Sequence, residues 1–563
     1  MAFIFWRRLL YTGASVAAAG ALPLAVPEWR SRLFSFADSA QPSAAAPSTL
    51  GTSAAEDRHQ VLLRALEDMR RAAPRLAVEL DAAQRAAHAR DVSFHTPRDP
   101  DAVVYATSAE EVAAVLRTAT RYHIPVTPYA AATSLEGHVV PRHGGISLDL
   151  SRMDRVLAVR PEDMDCDVEP GVGWEALNDA LRPHHLFFSP DPGPGACIGG
   201  MIGTSCSGMN AARYGTIKEN ILSLEVVLPT GEIVRKTRSR VRKSSAGYDL
   251  THLFIGSEGT LGVVTKATLR LRPIAPFTGV AACTFDRVED AAAAVQEVVG
   301  PVAQVPVGRC EMMDALAVRA VNLSTDGELA LDERRPLLLL EITGDGPDTV
   351  QRQADQVRDC AARHGLQQWR FAAAPTHAPT DPADAAAAAA SLPAEQRQLL
   401  QQREELWRAR KVAYWSAFSL RPGAECWITD VAVPLSQLSA VLRDTEADIR
   451  HTNEQYAKRD PSLSPLLAPL LAHAADGNFH LLMLIHPDSA HEMERATEIN
   501  HRLVTRAIRV GGTCTGEHGI GEGKRAYLAE ELGAEGVALM QRLKVLLDPA
   551  GIMNPGKVLP DDV

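Results

Sequence analysis

The stretch Asp191–Gly208, with the sequence DPGPGACIGGMIGTSCSG, decides how this fold is interpreted, because six of its eighteen residues are glycine. Two shorter segments of small residues accompany it. Thr127–His138 (TPYAAATSLEGH) follows a predicted strand, and Gly256–Thr265 (GSEGTLGVVT) leads into another. Glycine lets backbone N–H groups approach phosphate oxygens closely. A single segment of this kind is typical of a tight turn packed on a strand, but three together favour a phosphate cradle.

The two common nucleotide-binding patterns are absent from these segments. None of them has G-x-G-x-x-G between a first strand and a helix, which disfavours a Rossmann fold. There is also no G-x-x-x-x-G-K-[ST], the pattern of a P-loop. The cradle therefore belongs to a different architecture.

Length and composition restrict the classes of protein that need to be considered. The chain has 563 residues, which predicts two or three domains, and 46% of them are hydrophobic, as in globular proteins. The formal charge of −11 argues against a nucleic-acid scaffold. The eight cysteines are scattered without a C-x-x-C pair, which indicates reduced thiols rather than a disulfide or zinc scaffold.

The first 55 residues differ from the rest and are interpreted as a targeting leader and linker. Met1–Pro27 contains no Asp or Glu but carries Arg7 and Arg8, as mitochondrial transit peptides do. The apolar stretch Leu9–Val26 is marginally long enough to cross a bilayer, and Ser39–Ala55 is rich in Ala, Ser and Pro. The alternative is a bacterial export signal, for which a pair of arginines is also suitable.

The body of the chain is predicted to be α+β. Glu56–Ala89 has the apolar spacing of a helix. Beyond it, short apolar runs predict strands and amphipathic stretches predict helices. The predicted strands include Val103–Tyr105, Ile124–Val126, Leu337–Ile342 and Trp427–Val433, and the predicted helices include Ala109–His123, Val288–Val299 and Leu399–Phe418.

The sequence HAADGNFH at residues 473–480 is the strongest chemical signal in the second half. Asp476-Gly477 predicts a two-residue hairpin turn, in which His473 pairs with His480 and Ala475 pairs with Asn478. Cross-strand partners share one face about 5 Å apart, so both imidazoles would reach one metal ion. The alternative is a plain hairpin with two hydrogen-bonded surface histidines.

A second signal is the loop Gly511–Gly521, with the sequence GGTCTGEHGIG. Its glycines indicate close backbone approach, and Glu517 and His518 place two ionisable groups at its centre. Taken alone, this loop is interpreted equally well as a solvated surface loop.

These segments, together with Asn210–Val227 and Ser245–Leu250, resemble the vanillyl-alcohol oxidase/p-cresol methylhydroxylase superfamily. Within it, the chain resembles the D-lactate dehydrogenases that reduce cytochrome c. The resemblance covers Thr96–Leu559. It implies a helical segment at residues 56–95, a two-subdomain FAD-binding domain of PCMH type at 96–275, and an α+β cap domain at 276–560, whose last ~15 residues return to the FAD domain. One departure is Ala130-Ala131-Ala132, where relatives commonly have one or more glycines.

The resemblance also implies roles for individual residues. His473, His480 and Glu517 are expected to bind a divalent metal, Zn²⁺ or Mn²⁺, and His518 to be the catalytic base. The pattern W-x-x-R at residues 407–410 assigns the substrate's carboxylate to Arg410. The expected FAD-binding residues are Thr133, Ser134, Leu135, Gly137, Pro194, Gly195, Gly199, Gly200, Thr204, Ser207, Gly208, Tyr214, Glu258, Gly262, Val264 and Asn554.

The implied reaction is FAD-dependent oxidation of a short D-2-hydroxy acid such as D-lactate. His518 takes the hydroxyl proton and the α-hydrogen leaves as hydride to flavin N5, giving a 2-oxo acid. Three alternatives remain: another acid such as D-2-hydroxyglutarate, alkyl-dihydroxyacetone-phosphate synthesis, or a non-catalytic flavin-binding subunit. Relatives that take 2-hydroxyglutarate have Lys-Tyr-Asp where this chain has Ile428-Thr429-Asp430, and the synthase uses a histidine-rich loop that is missing here.

The resemblance further implies that cytochrome c accepts the electrons. The acidic body of the chain would attract such a basic protein electrostatically. Together with the leader, this predicts a mitochondrial location, with membrane anchoring through residues 9–26 as a candidate feature.

Overall fold

The computed structural model describes residues 52–376, 394–486 and 488–560. Residues 1–51 of the predicted leader and linker, including the candidate membrane segment, lie outside the described residues. The last four residues of the predicted linker, Thr52–Ala55, instead begin a helix. Within those ranges, no helix is both long enough and apolar enough to span a bilayer. All eight cysteines lie inside them as free thiols.

The first sheet has four strands in the order β1-β2-β4-β3, in which β2–β4 and β4–β3 are parallel and β1–β2 is antiparallel. Helix α1 (Thr52–Ala72) and helix α3 (Ala109–Tyr122) cover it with a shared apolar core. Ser108 starts α3 by accepting a hydrogen bond from the Glu111 amide, as N-cap residues do. The strands are β1 (Ala77–Glu79), β2 (Ala102–Tyr105), β3 (Val126–Tyr129) and β4 (Ile146–Asp149), and the short helix α2 spans Ala82–Ala87.

The second sheet is antiparallel, with five strands in the order β5-β6-β10-β8-β9. Its core face is closed by small helices that include α5 (Ile198–Thr204), in the middle of the glycine-rich stretch. The strands are β5 (Val156–Arg160), β6 (Asp165–Val168), β8 (Ile221–Val227), β9 (Ile233–Val234) and β10 (Val263–Arg270), and a separate pair is β7 (Leu186–Phe187) with β11 (Arg272–Pro273). The other helices are α4 (Trp174–Leu181), α6 (Ala211–Tyr214), α7 (Ile217–Asn220) and α8 (Leu250–Phe254).

The third sheet has eight strands, with seven in the order β15-β12-β14-β13-β18-β19-β16 and β17 paired to β19. The strands are β12 (Phe277–Thr284), β13 (Val307–Met313), β14 (Leu337–Gly344), β15 (Gln368–Pro375), β16 (Glu425–Ile428), β17 (Val431–Ala432), β18 (Leu470–His473) and β19 (Asn478–Ile485). The helices are α9 (Val288–Val299), α10 (Ala315–Ser324), α11 (Pro347–Arg363), α12 (Ala394–Ala417), α13 (Leu435–Arg459), α14 (Ala490–Arg509) and α15 (Leu528–Leu547).

Both faces of this third sheet are buried, which explains its continuous apolar strands. In β14, for example, Leu338 and Leu340 belong to one core with α9, α11, α13 and α14. Leu337 and Leu339 point the other way, into a second core with α10 and α12. The helix α12 is thereby fixed against the sheet, with Trp407 buried.

The predicted elements are largely confirmed, and the differences have local causes. Helix α9 has the predicted bounds. The helix predicted over Glu56–Ala89 instead ends at Ala72, because the chain turns to pair β1 with β2. The strand predicted over Trp427–Val433 is interrupted at Thr429-Asp430, where Thr429 accepts from the Leu481 amide of β19 and Asp430 accepts from the Gly516 loop.

The C-terminal segment joins the edge of the first sheet. The Val126 amide donates to the Ile552 carbonyl, and the Asn554 amide donates to Val126. Met553 consequently lies beside β3 as a parallel bridge.

Candidate functional site

The histidine hairpin forms between β18 and β19, but its predicted register is wrong. His473 pairs with Asn478, and Leu471 pairs with His480. His473 and His480 are therefore diagonal neighbours on one face rather than direct partners, with ring centroids 5.6 Å apart.

Contacts to neighbouring strands account for the wider turn. The Ala474 amide donates to the Cys310 carbonyl on β13, and Phe479 pairs with Ala472 instead of Ala474. Gly477 has φ +76° and accepts a hydrogen bond from the Val433 amide. A Cβ there would lie 2.0 Å from the Val433 oxygen, so only glycine fits.

The three predicted metal ligands converge. Glu517 Oε1 lies 3.1 Å from His473 Nε2 and 3.3 Å from His480 Nε2. Two ligand atoms about 2.1 Å from a shared tetrahedral ion would be about 3.4 Å apart, close to these separations. Both histidines are buried.

The donor chemistry of this cluster also fits a metal ion. His480 Nδ1 lies 3.0 Å from the Thr429 carbonyl, and His473 Nδ1 lies 2.8 Å from Glu311 Oε1. Since these oxygens accept, each Nδ1 carries the hydrogen and each Nε2 presents a lone pair. Two lone pairs then face the negatively charged Glu517 carboxylate, and a metal cation between these groups would bind all three.

The pKa values of His473 and Glu517 also show the attraction between these groups. Burial alone would lower the pKa of His473, but Glu311 and Glu517 raise it well above its ordinary value. Burial alone would raise the pKa of Glu517, but His473 and His480 hold it well below the usual range. In protein without metal, Nε2 of His473 therefore carries a proton that faces Glu517, and a bound metal ion would take the place of that proton.

His518 lies beside this cluster with its ring stacked on His480, at a centroid distance of 5.1 Å. Its Nδ1 has no hydrogen-bond partner in the described part of the chain. Burial lowers the pKa of His518 to about 4, against the opposing effect of Asp430. The imidazole is therefore neutral near pH 7 and can accept a proton.

Asp430 organises the loop that carries Glu517 and His518, a role that the sequence analysis missed. Its Oδ2 accepts hydrogen bonds of 2.8–3.0 Å from the amides of Gly516, Glu517 and His518 and from the Thr515 hydroxyl. Its other oxygen accepts from Asn478 Nδ2 at 2.8 Å. The only sequence signal was a polar Thr-Asp pair inside an apolar strand.

Asp430→Asn is expected to destabilise the protein by about 3 kcal/mol, because an amide in this buried position turns N–H groups toward N–H donors. Urea unfolding measures the change. Asp444→Asn is the matched control, since Asp444 is half exposed and, within the described ranges, pairs with Arg443 alone. A loss below about 1 kcal/mol for Asp430→Asn would contradict the structural role assigned to this carboxylate.

Arg410, the predicted carboxylate clamp, extends from α12 toward the same cluster. Its Nε donates to Glu311 Oε2 at 2.6 Å, and its side chain is 14% exposed. Glu311 thus contacts both Arg410 and His473, and the sequence analysis missed it as well, because nothing in its local sequence distinguishes it.

The predicted FAD-binding residues fall into groups. An exposed strip contains Thr133, Pro194, Gly195 and Gly200, and a Cβ on Gly200 would meet nothing within 4 Å. Half-buried residues beside it are Ser134, Leu135 and Thr204. The first two segments meet here, since a Cβ on Gly195 would lie 4.0 Å from Thr133 Cγ2.

The other predicted glycines are packed against protein. A Cβ on Gly199 would lie 2.6 Å from Pro170, and one on Gly208 would lie 2.6 Å from Asp191. Gly137 and Gly262 are similarly close to His95 and Val226. Val264 is paired with Val226 in the sheet, and the Tyr214 ring packs on Phe187 at 5.3 Å.

The remaining predicted residues join the glycine segments to the cap loop. Ser207 Oγ donates to Glu517 Oε2 at 2.8 Å. Glu258 accepts from the amides of Ile520 and Gly521, and Asn554 Nδ2 donates to the Glu258 carbonyl. The predicted metal ligands and the glycine segments consequently lie next to each other.

The alanine run in the first segment carries backbone strain. Ala132 has φ +54°, in the left-handed region that favours glycine, whereas Ala131 does not. An alanine there costs about 1–2 kcal/mol relative to ordinary backbone.

Ala132→Gly is therefore expected to stabilise the protein by about 0.5–1 kcal/mol, the strain relieved less the entropy that glycine adds to the unfolded chain. Thermal unfolding measures this effect. Ala131→Gly is the control and is expected to destabilise slightly. Equal effects of the two substitutions would contradict the strain argument.

Comparison with known proteins identifies the class. Residues 100–237 match the FAD binding domain family, and residues 275–558 match the FAD linked oxidases C-terminal domain. The fold is also that of p-cresol methylhydroxylase with substrate bound, with a TM-score of 0.68 at 16% identity, covering 89% of this chain and 97% of that one. The protein is thus an FAD-dependent oxidoreductase with the predicted PCMH-type FAD domain and α+β cap.

Two relatives show to which family within this class the chain belongs. The mitochondrial D-lactate dehydrogenase [cytochrome] of Arabidopsis thaliana is 42% identical over 472 residues, covering 84% of this chain and 76% of that protein. The probable mitochondrial D-lactate dehydrogenase of Danio rerio is 38% identical over 484 residues, covering 86% and 89%. The chain belongs to the family of FAD-linked oxidases that contains these D-lactate dehydrogenases.

Proposed function

We propose that this protein oxidises D-lactate, or a similarly short D-2-hydroxy acid, to the 2-oxo acid. The observation that carries the proposal is the arrangement around His518. A neutral imidazole with an unpartnered nitrogen lies beside a His₂Glu cluster suited to a divalent metal. The names of the two relatives support the choice of D-lactate.

Each residue has a distinct part in this reaction. His473, His480 and Glu517 would hold the metal and leave positions for substrate, as a three-ligand catalytic site does. Arg410 would bind the substrate's carboxylate through two hydrogen bonds and fix which face of the α-carbon is presented. His518 would take the hydroxyl proton on a ring nitrogen, since neither ring nitrogen is hydrogen-bonded to a residue of the described ranges.

When bound, the metal supplies a Lewis acid that lowers the pKa of a hydroxyl, and FAD supplies a hydride acceptor. The exposed strip of Thr133, Pro194, Gly195 and Gly200 would hold the phosphates of FAD.

We also propose that the FAD domain ends at residue 275 and that the cap domain begins at residue 276.

The segment Ile428-Thr429-Asp430 supports a short monocarboxylate. Thr429 uses its hydroxyl to accept from the Leu481 amide and its carbonyl to accept from His480. Asp430 is occupied by the cap loop. None of the three residues therefore offers a cation to a second carboxylate.

Turnover with a dye as electron acceptor tests the substrate. We expect D-lactate to yield pyruvate with a kcat/KM at least tenfold above those for L-lactate and D-2-hydroxyglutarate. A preference for D-2-hydroxyglutarate would replace this substrate with a dicarboxylate, and no turnover of any hydroxy acid would refute the proposal.

We also propose cytochrome c as the acceptor and a mitochondrial location, which the relatives' names support. The chain's net charge of −11 would attract a basic acceptor. Cytochrome c reduction should slow as ionic strength rises, since salt screens this attraction. D-lactate turnover with an uncharged dye as acceptor is the control. Equal salt dependence of both reactions would contradict electrostatic attraction of cytochrome c.

A further inference from the structure

Glu311 lies where the metal-ligand cluster meets the carboxylate clamp. It is on β13, directly opposite His473 on β18, and is 1% exposed. A carboxylate buried to this degree is costly unless both of its oxygens have partners. Its two partners come from different parts of the site.

The two carboxylate oxygens divide between these partners. Oε1 accepts from His473 Nδ1 at 2.8 Å, and Oε2 accepts from Arg410 Nε at 2.6 Å. One side chain thereby links a strand residue of the metal cluster to a helix residue of the clamp.

The contact with Glu311 determines that Nδ1 of His473 carries a hydrogen. With its hydrogen on Nδ1 held by Glu311, His473 directs its Nε2 lone pair at Glu517, 3.1 Å away. A carboxylate behind a ligating histidine fixes the ring's orientation and raises its basicity toward a metal.

The contact with Arg410 sets the direction of the guanidinium. Nε is occupied by Glu311, whereas neither terminal nitrogen of Arg410 is bonded to any residue of the described ranges. The two terminal nitrogens can therefore bind a carboxylate through parallel hydrogen bonds.

We propose that Glu311 is a positioning residue that serves the metal site and the substrate clamp at once, an inference that rests on the function proposed above. The two tasks need two acceptor oxygens. A glutamine has one acceptor oxygen and one N–H donor group, so it can satisfy His473 or Arg410 but not both.

The test compares Glu311→Gln with wild type in purified flavoprotein. Equilibrium dialysis with Zn²⁺ or Mn²⁺, without substrate, measures metal affinity, and D-lactate turnover gives KM and kcat separately. We expect 10- to 100-fold weaker metal binding or a 10- to 100-fold higher KM, depending on which contact the amide keeps, with FAD content unchanged. Glu311→Asp should show a smaller loss.

Glu341→Gln on β14 is the matched control, because Glu341 pairs with Arg309 and contacts neither His473 nor Arg410. Wild-type metal affinity and KM in Glu311→Gln would overturn the inference. Should that variant fail to fold, the same measurements on Glu311→Asp decide, and wild-type values again overturn it. Wild-type protein that neither binds metal nor oxidises D-lactate would instead refute the proposed function.

Discussion

His518→Ala is expected to slow flavin reduction by D-lactate by about 10²–10⁴-fold, the usual contribution of a general base. The imidazole is neutral at pH 7 because burial lowers its pKa to about 4. Neither of its ring nitrogens is hydrogen-bonded within the described ranges, so the ring can take a proton. Alanine removes the acceptor without touching the glycine segments, so FAD should remain bound. Stopped-flow absorbance under anaerobic conditions measures the rate.

The control for this variant is His491→Ala on the exposed side of α14, which should react at the wild-type rate. FAD content is measured in both variants from the flavin spectrum. Reduction of His518→Ala within about threefold of wild type would exclude His518 as the base.

Removing the metal is expected to have an equally large effect. Without it, the substrate's hydroxyl loses the Lewis acid that favours its deprotonation, which is worth several kcal/mol, or about 10²–10⁴ in rate. Chelation should stop flavin reduction with FAD still bound, and added Zn²⁺ or Mn²⁺ should restore it. Glu517→Gln should reproduce the loss permanently, because the carboxylate that both histidines face is gone.

Glu535→Gln, on an exposed position of α15, is the control for the metal prediction. Metal content by atomic absorption accompanies each rate. An unchanged rate in fully metal-depleted protein would leave His473, His480 and Glu517 with a structural role only.

The sequence predicted which side chains converge better than it predicted the backbone geometry around them. His473, His480, Glu517 and His518 were identified from two short motifs, and the structure places all four together. The register of the histidine hairpin was wrong because it depends on Cys310 and Val433, which are far away in sequence. Local turn propensity carries no information about such contacts.

The two buried carboxylates were missed for the same physical reason. The partners of Glu311 lie 99 and 162 residues away in sequence. Those of Asp430 are Asn478, which is 48 residues away, and a loop that is 85–88 residues away. Each stands alone in an apolar strand region, where sequence pattern shows only an isolated acid. Their importance follows from burial and from the donors that surround them.

Single-turnover flavin reduction tests the central claim most directly. Oxidised, metal-replete protein is mixed anaerobically with millimolar D-lactate, L-lactate or D-2-hydroxyglutarate, and the oxidised-flavin absorbance is followed. The proposed function predicts rapid bleaching by D-lactate, with much slower bleaching by the other two acids. Flavin that stays oxidised in the presence of D-lactate would contradict it.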